Sequence, residues 1–215
     1  LREWNDFDAA EQHLAQGMAQ LGGRLVVDAE DVALGYLALA RLQHARGEYA
    51  TAQRTLATYI DLARQRGFVA HLIARGTAVQ AQLALAQGDV AAAVAWADAS
   101  GLNVADDLHF AREAEYLLLA RVWIAQASNE SNHALRQQAF DLLARLLADA
   151  TTKGRLGSVL EILIVRALGQ WAQETPSDAL ATLTHALALA APEGYIRRYV
   201  DEGEAMRLLI SDFRL

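Results

Sequence analysis

The chain has 215 residues, 53% of them hydrophobic, with a formal net charge of −7, two prolines and no cysteine. The lack of cysteine excludes disulfides and thiolate sites. The acidic balance argues against direct nucleic-acid binding, because domains that bind DNA or RNA usually present a basic face. Many of the hydrophobic residues are alanine and leucine, which favour helices nearly throughout.

Targeting signals are not evident in the sequence. Residues Leu1–Phe7 are polar and acidic and lack the apolar core of a signal peptide. No apolar run reaches the ~20 residues of a membrane span. We therefore expect a cytoplasmic protein that does not bind a membrane. Because the sequence begins inside a repeat motif, we also expect it to be part of a longer protein.

In chain order, the pattern predicts one helix followed by four helix hairpins. The first helix covers about residues 6–21, and the hairpins cover about 31–66, 70–100, 110–152 and 156–191. Glycines and short polar runs separate these elements, as expected for turns.

A recurring phrase sets the spacing of the hairpins. One copy reads Gly47–Tyr49 and then Ala52, and the next reads Gly88–Val90 and then Ala93. Glycine allows the left-handed backbone that closes a first helix, and the following acid suits the start of a second helix. The small alanine lets the two helices approach closely. The matching alanine recurs as Ala10, Ala52, Ala93, Ala139 and Ala179, at spacings of 42, 41, 46 and 40 residues.

Large apolar residues follow each phrase at helical spacing. First helices carry similar stripes, which include Val32, Tyr116 and Ile162. Trp96 and Trp123 lie on such stripes and are predicted to be core residues. A hairpin with two apolar stripes cannot bury both alone, so neighbouring hairpins must stack. The stripe of the second helix in the 31–66 hairpin consists of Tyr49, Ala52, Leu56, Tyr59 and Ala63.

The spacing of 46 residues is longer than the others. A polar run, Ser128–Asn132, falls inside the corresponding hairpin. Because such runs are typical of loops, we predict that the extra residues form a longer loop there.

The phrase resembles tetratricopeptide (TPR) repeats, although its period of about 41 exceeds the usual ~34 residues. The long period, the terminal phrase Ala191–Gly203 and the following Met206–Leu209 are similar to the end of the repeat array in ATP-dependent transcriptional regulators of the MalT and LuxR kind. The resemblance implies an all-α, right-handed superhelical array of antiparallel hairpins, a TPR-like α-solenoid. The array would cover residues 1–191 as a partial first repeat plus four hairpins.

Residues 192–215 would then form a cap or linker toward a helix-turn-helix domain absent from this sequence. Within it, Arg197 and Arg198 could contact that domain, but a structural role for Tyr195–Val200 is favoured.

The function implied by the resemblance is that of a regulatory sensor or protein-interaction module of a LuxR/MalT-type transcriptional activator. Its partner would be a small-molecule inducer or a regulatory protein, and the parent protein could self-associate. The sequence contains no Walker motif, so no cofactor is expected here and ATP is implied only for an N-terminal domain of the parent. The alternative is a generic TPR scaffold that binds a peptide or protein helix without a small-molecule inducer.

Catalytic and metal-binding patterns are missing from the sequence. It contains neither a Gly-x-Ser-x-Gly elbow nor a His-Glu-x-x-His motif. No two of its six histidines have the i, i+4 spacing of a helical metal site. We therefore predict neither an enzyme nor a metal site.

The binding site is predicted on the concave groove, which first helices line in arrays of this kind. Arginines and a tryptophan there could hold a sugar, a carboxylate ligand or an acidic helix. The alternative is a solvated groove without a ligand. Transferring the register between hairpins gives Arg41, His44, Arg75, Gln82, Arg121, Glu161 and Trp171.

Overall fold

The computed structural model describes residues 6–22, 28–173 and 175–212, and every regular element within those ranges is helical. The predicted all-α fold of consecutive hairpins is therefore confirmed. The α-helices are α1 (Phe7–Gly22), α2 (Ala29–Ala45), α3 (Tyr49–Gln65), α4 (Ala70–Ala86), α5 (Val90–Ser100), α6 (Glu113–Glu130), α7 (His133–Thr152), α8 (Leu156–Trp171), α9 (Pro176–Ala190), α10 (Arg197–Val200) and α11 (Gly203–Asp212). Short 3-10 turns cover Phe110–Arg112 and Ala191–Glu193.

Backbone contacts divide the chain into two compact units, Leu1–Gly88 and Asp89–Leu215. The first unit contains α1 to α4, and the second contains α5 to α11. None of the helices in the described ranges is long and apolar enough to cross a membrane.

The turn chemistry of the repeat phrase is largely as predicted. Gly47 and Gly88 have φ of +81° and +84°, the left-handed conformation that glycine adopts without strain. After the second of them, Asp89 caps α5, since its Oδ1 accepts a 3.0 Å hydrogen bond from the Ala92 amide. Glu48 occupies the equivalent place before α3 but makes no side-chain cap. The shorter aspartate can reach back to the first turn, so only this copy gains a side-chain cap.

In the first unit, Tyr59 of α3 joins three helices. Its ring is fully buried and packs against Tyr36 of α2, with 5.9 Å between the ring centroids. Its hydroxyl donates a 2.8 Å hydrogen bond to the Leu72 carbonyl of α4. Gly76, one turn further along α4, lies directly against the ring. The buried Tyr59 ring, whose hydroxyl is hydrogen-bonded, thus fixes the position of α4 against α2 and α3.

The predicted stripe of α3 is confirmed at four of its five positions. The four residues Ala52, Leu56, Tyr59 and Ala63 are fully buried. Tyr49, by contrast, is 48% exposed, so its prediction as a stripe residue was wrong. It is the first residue of α3, where its ring packs against His44 at 5.0 Å between centroids instead of entering the core.

In the second unit, the hairpins α6–α7 and α8–α9 share one core. Close approach is permitted at Gly169 of α8, which lies against Ile124 of α6 and Phe140 of α7. Trp96 and Trp123, which were predicted to be core residues, pack against this core but are only half-buried. Helices α10 and α11 contribute to the same core with Tyr199, Met206 and Leu209.

The predicted long loop around Ser128–Asn132 is wrong. Helix α6 continues to Glu130, and only Ser131 and Asn132 separate it from α7. The polar side chains are accommodated on an exposed helix surface, where Ser128 Oγ donates to the Ile124 carbonyl at 2.9 Å. A polar run therefore did not require a loop.

The additional residues instead lie mainly in the connection between α5 and α6, residues 101–112. Arg145 of α7 holds this connection by donating to the carbonyls of Val104 and, at 2.7 Å, Asp106. Tyr116 adds a 3.1 Å hydrogen bond from its hydroxyl to the Asp106 carboxylate. The two bonds from Arg145 satisfy backbone carbonyls in a connection that lies between α-helices.

Replacing Gly76 with alanine is expected to destabilise the protein. A Cβ at this position would lie 2.7 Å from Tyr59 Cε1, and the buried, hydrogen-bonded ring has no free direction in which to move. Overpacking of this kind costs roughly 1–3 kcal/mol, whereas the gain in helix propensity is at most about 1 kcal/mol. Urea denaturation measures the free energy of unfolding of the variant.

Gly17→Ala in α1 is the matched control, because a Cβ there meets nothing within 4 Å. It should stabilise the protein by up to about 1 kcal/mol. If Gly76→Ala is as stable as Gly17→Ala, the close packing of α4 on Tyr59 is contradicted.

Candidate functional site

In the first unit, a charged cluster connects α2 and α4, which the sequence predicts as the first helices of successive hairpins. Arg75 of α4 donates a 2.7 Å hydrogen bond to the Glu30 carboxylate of α2. The same carboxylate lies 3.1 Å from His71 Nε2. All three side chains retain contact with solvent. Arg75 was predicted as a site residue, whereas Glu30 and His71 were not.

The missed residues could have been found from the repeat itself. Glu30 and His71 are 41 residues apart, which is one period, so they hold equivalent positions on successive first helices. Hydrogen bonding to His71 is the largest influence on Glu30 and lowers the pKa of its carboxyl, with a further contribution from Arg75. The cluster thus keeps Glu30 ionised to lower pH than an isolated glutamate.

The other predicted residues of the first unit are Arg41, His44 and Gln82. Arg41 and His44 are half-buried on α2, and His44 packs against Tyr49. Gln82 is exposed on α4. Ligand binding by these residues stays a prediction.

In the second unit, a stronger set of contacts lies on the first helices α6 and α8. Arg121 of α6 forms two hydrogen bonds with the Glu202 carboxylate, at 2.6 and 2.5 Å. Glu161 of α8 accepts a 2.7 Å hydrogen bond from Arg198 Nη1. The same arginine donates to the Gly157 carbonyl at 3.1 Å, so α10 and the turn after it are fixed to both first helices.

The Arg121–Glu202 pair is withdrawn from solvent, with the two side chains 20% and 13% exposed. Burial favours the neutral form of Arg121, but the charge and hydrogen bonds of Glu202, with the charge of Glu161, outweigh it and raise the pKa of the guanidinium. A two-pronged pair of this kind combines geometric specificity with strength.

Two of the predicted site residues, Arg121 and Glu161, therefore face side chains of the same chain. We call residues 195–212, which include α10 and α11, the C-terminal segment. Trp171, at the end of α8, is half-buried against the second core. The structural role favoured for Tyr195–Val200 is supported, because Arg198 contacts α8 and Arg197 Nε lies 2.5 Å from Asp201 Oδ1. Residues 213–215 of the predicted cap lie outside the described ranges.

A further charged cluster lies where α6 and α8 begin, and it was not predicted. Arg155 donates hydrogen bonds to Glu113 at 2.5 Å and to Asp149 at 2.7 Å. Its guanidinium also lies over the ring of Phe110, 5.1 Å from the centroid. Lys153 is 2.7 Å from Asp149. Its hydrogen bond is the largest cause of the lowered pKa of the Asp149 carboxyl, and the hydrogen bond from Arg155 is the second cause.

Exposed apolar residues also follow the repeat. Four apolar side chains, each roughly half exposed or more, lie at corresponding places near the start of an element. They are Val69 just before α4, Phe110 in the 3-10 turn before α6, Leu156 at the start of α8 and Ile196 just before α10. Their spacings of 41, 46 and 40 residues equal those of the buried alanines from Ala52 to Ala179. Each of these elements thus presents one apolar side chain at an equivalent position of the repeat.

The chemistry available on these faces is recognition by charge and hydrogen bonding. In the described ranges, no group of three His, Asp or Glu side chains is arranged to hold a metal ion. Arginine forks and carboxylates of fixed orientation are typical of sites that bind charged ligands or helices.

Comparison with known proteins gives a family match over almost the whole chain. The model described as the MalT-like TPR region matches residues 1–214. The chain is also 29% identical over 134 residues to an elongation factor Ts of Brucella anthropi, which covers 57% of the chain and 44% of that protein. For the elongation factors Ts of Brucella ovis and Brucella canis the identity is 28%, over 59% of the chain and 45% of each protein. The chain therefore spans less than half the length of these relatives. No solved structure gives a significant match.

The cluster in the first unit predicts a pH-dependent contribution to stability. Because the pKa of Glu30 is lowered on folding, its contribution is complete above the ordinary glutamate pKa and is lost as the pH falls through the lowered value. A carboxyl NMR titration should give Glu30 a midpoint below the ordinary glutamate value of about 4.3. His71→Ala should raise that midpoint, because His71 provides the largest contribution.

His185→Ala, at an exposed position on α9, is the control and should leave the Glu30 titration unchanged. An identical Glu30 midpoint in the His71 variant and the unaltered protein would refute the assignment.

Proposed function

This chain belongs to the MalT-like TPR region family, and we propose that it is a regulatory and protein-interaction module that binds through its first helices. The observation that carries the proposal is the concentration of oriented charged side chains on those helices, in each unit separately. Glu30 and Arg75 are fixed on α2 and α4, and Arg121 and Glu161 are fixed on α6 and α8. Oriented groups bind a partner with less loss of side-chain entropy than free ones.

In its finer form, the proposal is a sensor module of a LuxR/MalT-type transcriptional activator working in the cytoplasm. A small-molecule inducer or a regulatory protein would bind the faces formed by first helices. ATP would be bound by another domain of the parent protein. An effector can shift the parent between two states only if its affinities for those states differ.

A catalytic role is not part of the proposal. TPR-type helical repeats typically act by binding, and the charged clusters described above pair arginines with carboxylates instead of activating a nucleophile. The similarity to elongation factor Ts does not lead us to propose a role in translation, because it covers less than half of those proteins.

Isothermal titration of the chain against a panel of sugars and carboxylates tests this function. Arg41→Ala in the first unit and Trp171→Ala in the second should each weaken binding to their own unit. Loss of a charge-assisted or aromatic contact is expected to raise the dissociation constant about tenfold or more.

The control is Arg64→Ala, because Arg64 is an exposed arginine on the second helix α3. It should leave the dissociation constant unchanged. A ligand whose affinity is unaltered by the Arg41 and Trp171 variants would contradict binding through the first helices. Binding of a helical peptide, with no response to any small molecule, would favour the scaffold function.

A further inference from the structure

We propose that the face formed by α6 and α8 is a docking surface for a helical protein segment that carries an arginine and a glutamate one turn apart. The C-terminal segment occupies this surface in the structure, and a partner segment with the same pattern competes for it. The inference rests on the proposed binding role of the first helices and adds the chemistry of the partner.

Charge complementarity defines the pattern. Arg198 of α10 and Glu202, in the turn directly after α10, are four residues apart and reach Glu161 and Arg121 at 2.7 Å and 2.5 Å. Each receiving group belongs to a different first helix. A competing segment must therefore present both charges at this spacing and in this order.

Apolar residues supply the rest of the contact. Tyr199, between the two charges, is buried, and Met206 and Leu209 of α11 enter the second core. Ile196, just before α10, is 55% exposed, and Val200, within α10, is 51% exposed. The C-terminal segment thus binds with one face, as amphipathic helices bind in grooves.

The ion pairs decide whether the docked state is preferred. Removing the charge of Glu202 would leave the little-exposed Arg121 without its hydrogen-bonded counter-charge, which strongly weakens a contact of this kind. The Arg207–Glu204 pair lies within α11 and is largely exposed, so it should have little influence on docking.

Hydrogen exchange of the full chain, read by mass spectrometry, measures how often the C-terminal segment opens. Glu202→Gln should speed exchange of residues 195–212 by about tenfold or more. Glu204→Gln is the matched control and should leave it unchanged. The exchanged pair Arg121→Glu with Glu202→Arg should bring the rate back toward that of the unaltered chain. A Glu202→Gln rate equal to the control rate would overturn the proposal.

A labelled peptide with the sequence of residues 195–212 then probes the surface itself. Because apparent affinity scales with the fraction of open surface, Glu202→Gln should tighten peptide binding by about the factor by which it speeds exchange. Arg121→Met should also speed hydrogen exchange of the C-terminal segment. Because it removes the group that binds Glu202 of the peptide, it should not tighten peptide binding.

Comparison of these two variants distinguishes a docking surface from general destabilisation. If the substitutions only destabilised the protein, both variants would bind the peptide with the same affinity. Equal peptide affinity of the Glu202→Gln and Arg121→Met chains would overturn the proposal. Neither experiment uses an effector, so a metabolite titration without binding would not contradict this inference. Conversely, failure of the exchange and peptide experiments would not contradict effector binding by the first unit.

Discussion

A two-helix hairpin with apolar stripes on both helices cannot bury them alone, and this constraint governs the chain. Each hairpin needs a neighbour, and the phrase with its glycine and small alanine repeats because each hairpin meets the same requirement. In the second unit the hairpin α8–α9 shares a core with α6–α7 and also receives Tyr199, Met206 and Leu209 from the C-terminal segment. A segment that resembles a linker in sequence thus performs the packing role of a further repeat.

Function follows from the same geometry. First helices that cover one another also bring side chains one period apart into contact, as in the pair of Glu30 and His71 and the bond from Arg198 to the Gly157 carbonyl, both 41 residues apart. Some of the groups that fix the stacking are therefore also the groups that we propose for recognition. In the second unit, Arg121 pairs with Glu202 of the C-terminal segment and also lies on the face that we propose as a binding surface.

The elements and much of the core could be predicted because helical periodicity and glycine turns are local properties. Tyr49 was misplaced because periodicity does not reveal where a helix begins relative to its neighbour. The polar run before Asn132 was misplaced because an exposed helix surface and a loop have the same composition. The predicted site named Arg121 and Glu161 correctly as residues on first helices, yet their partners, Glu202 and Arg198, belong to a segment whose return no local pattern indicates.

A double-mutant cycle on Arg121 and Glu202 tests most directly whether the C-terminal segment serves as the neighbour of the last hairpin. Arg121→Met, Glu202→Gln and the double variant are each unfolded in urea, and the coupling free energy is calculated from the three changes. Because the side chains are in direct contact and little exposed, we predict a coupling of about 1–3 kcal/mol. Additive effects, with a coupling below about 0.3 kcal/mol, would contradict the account.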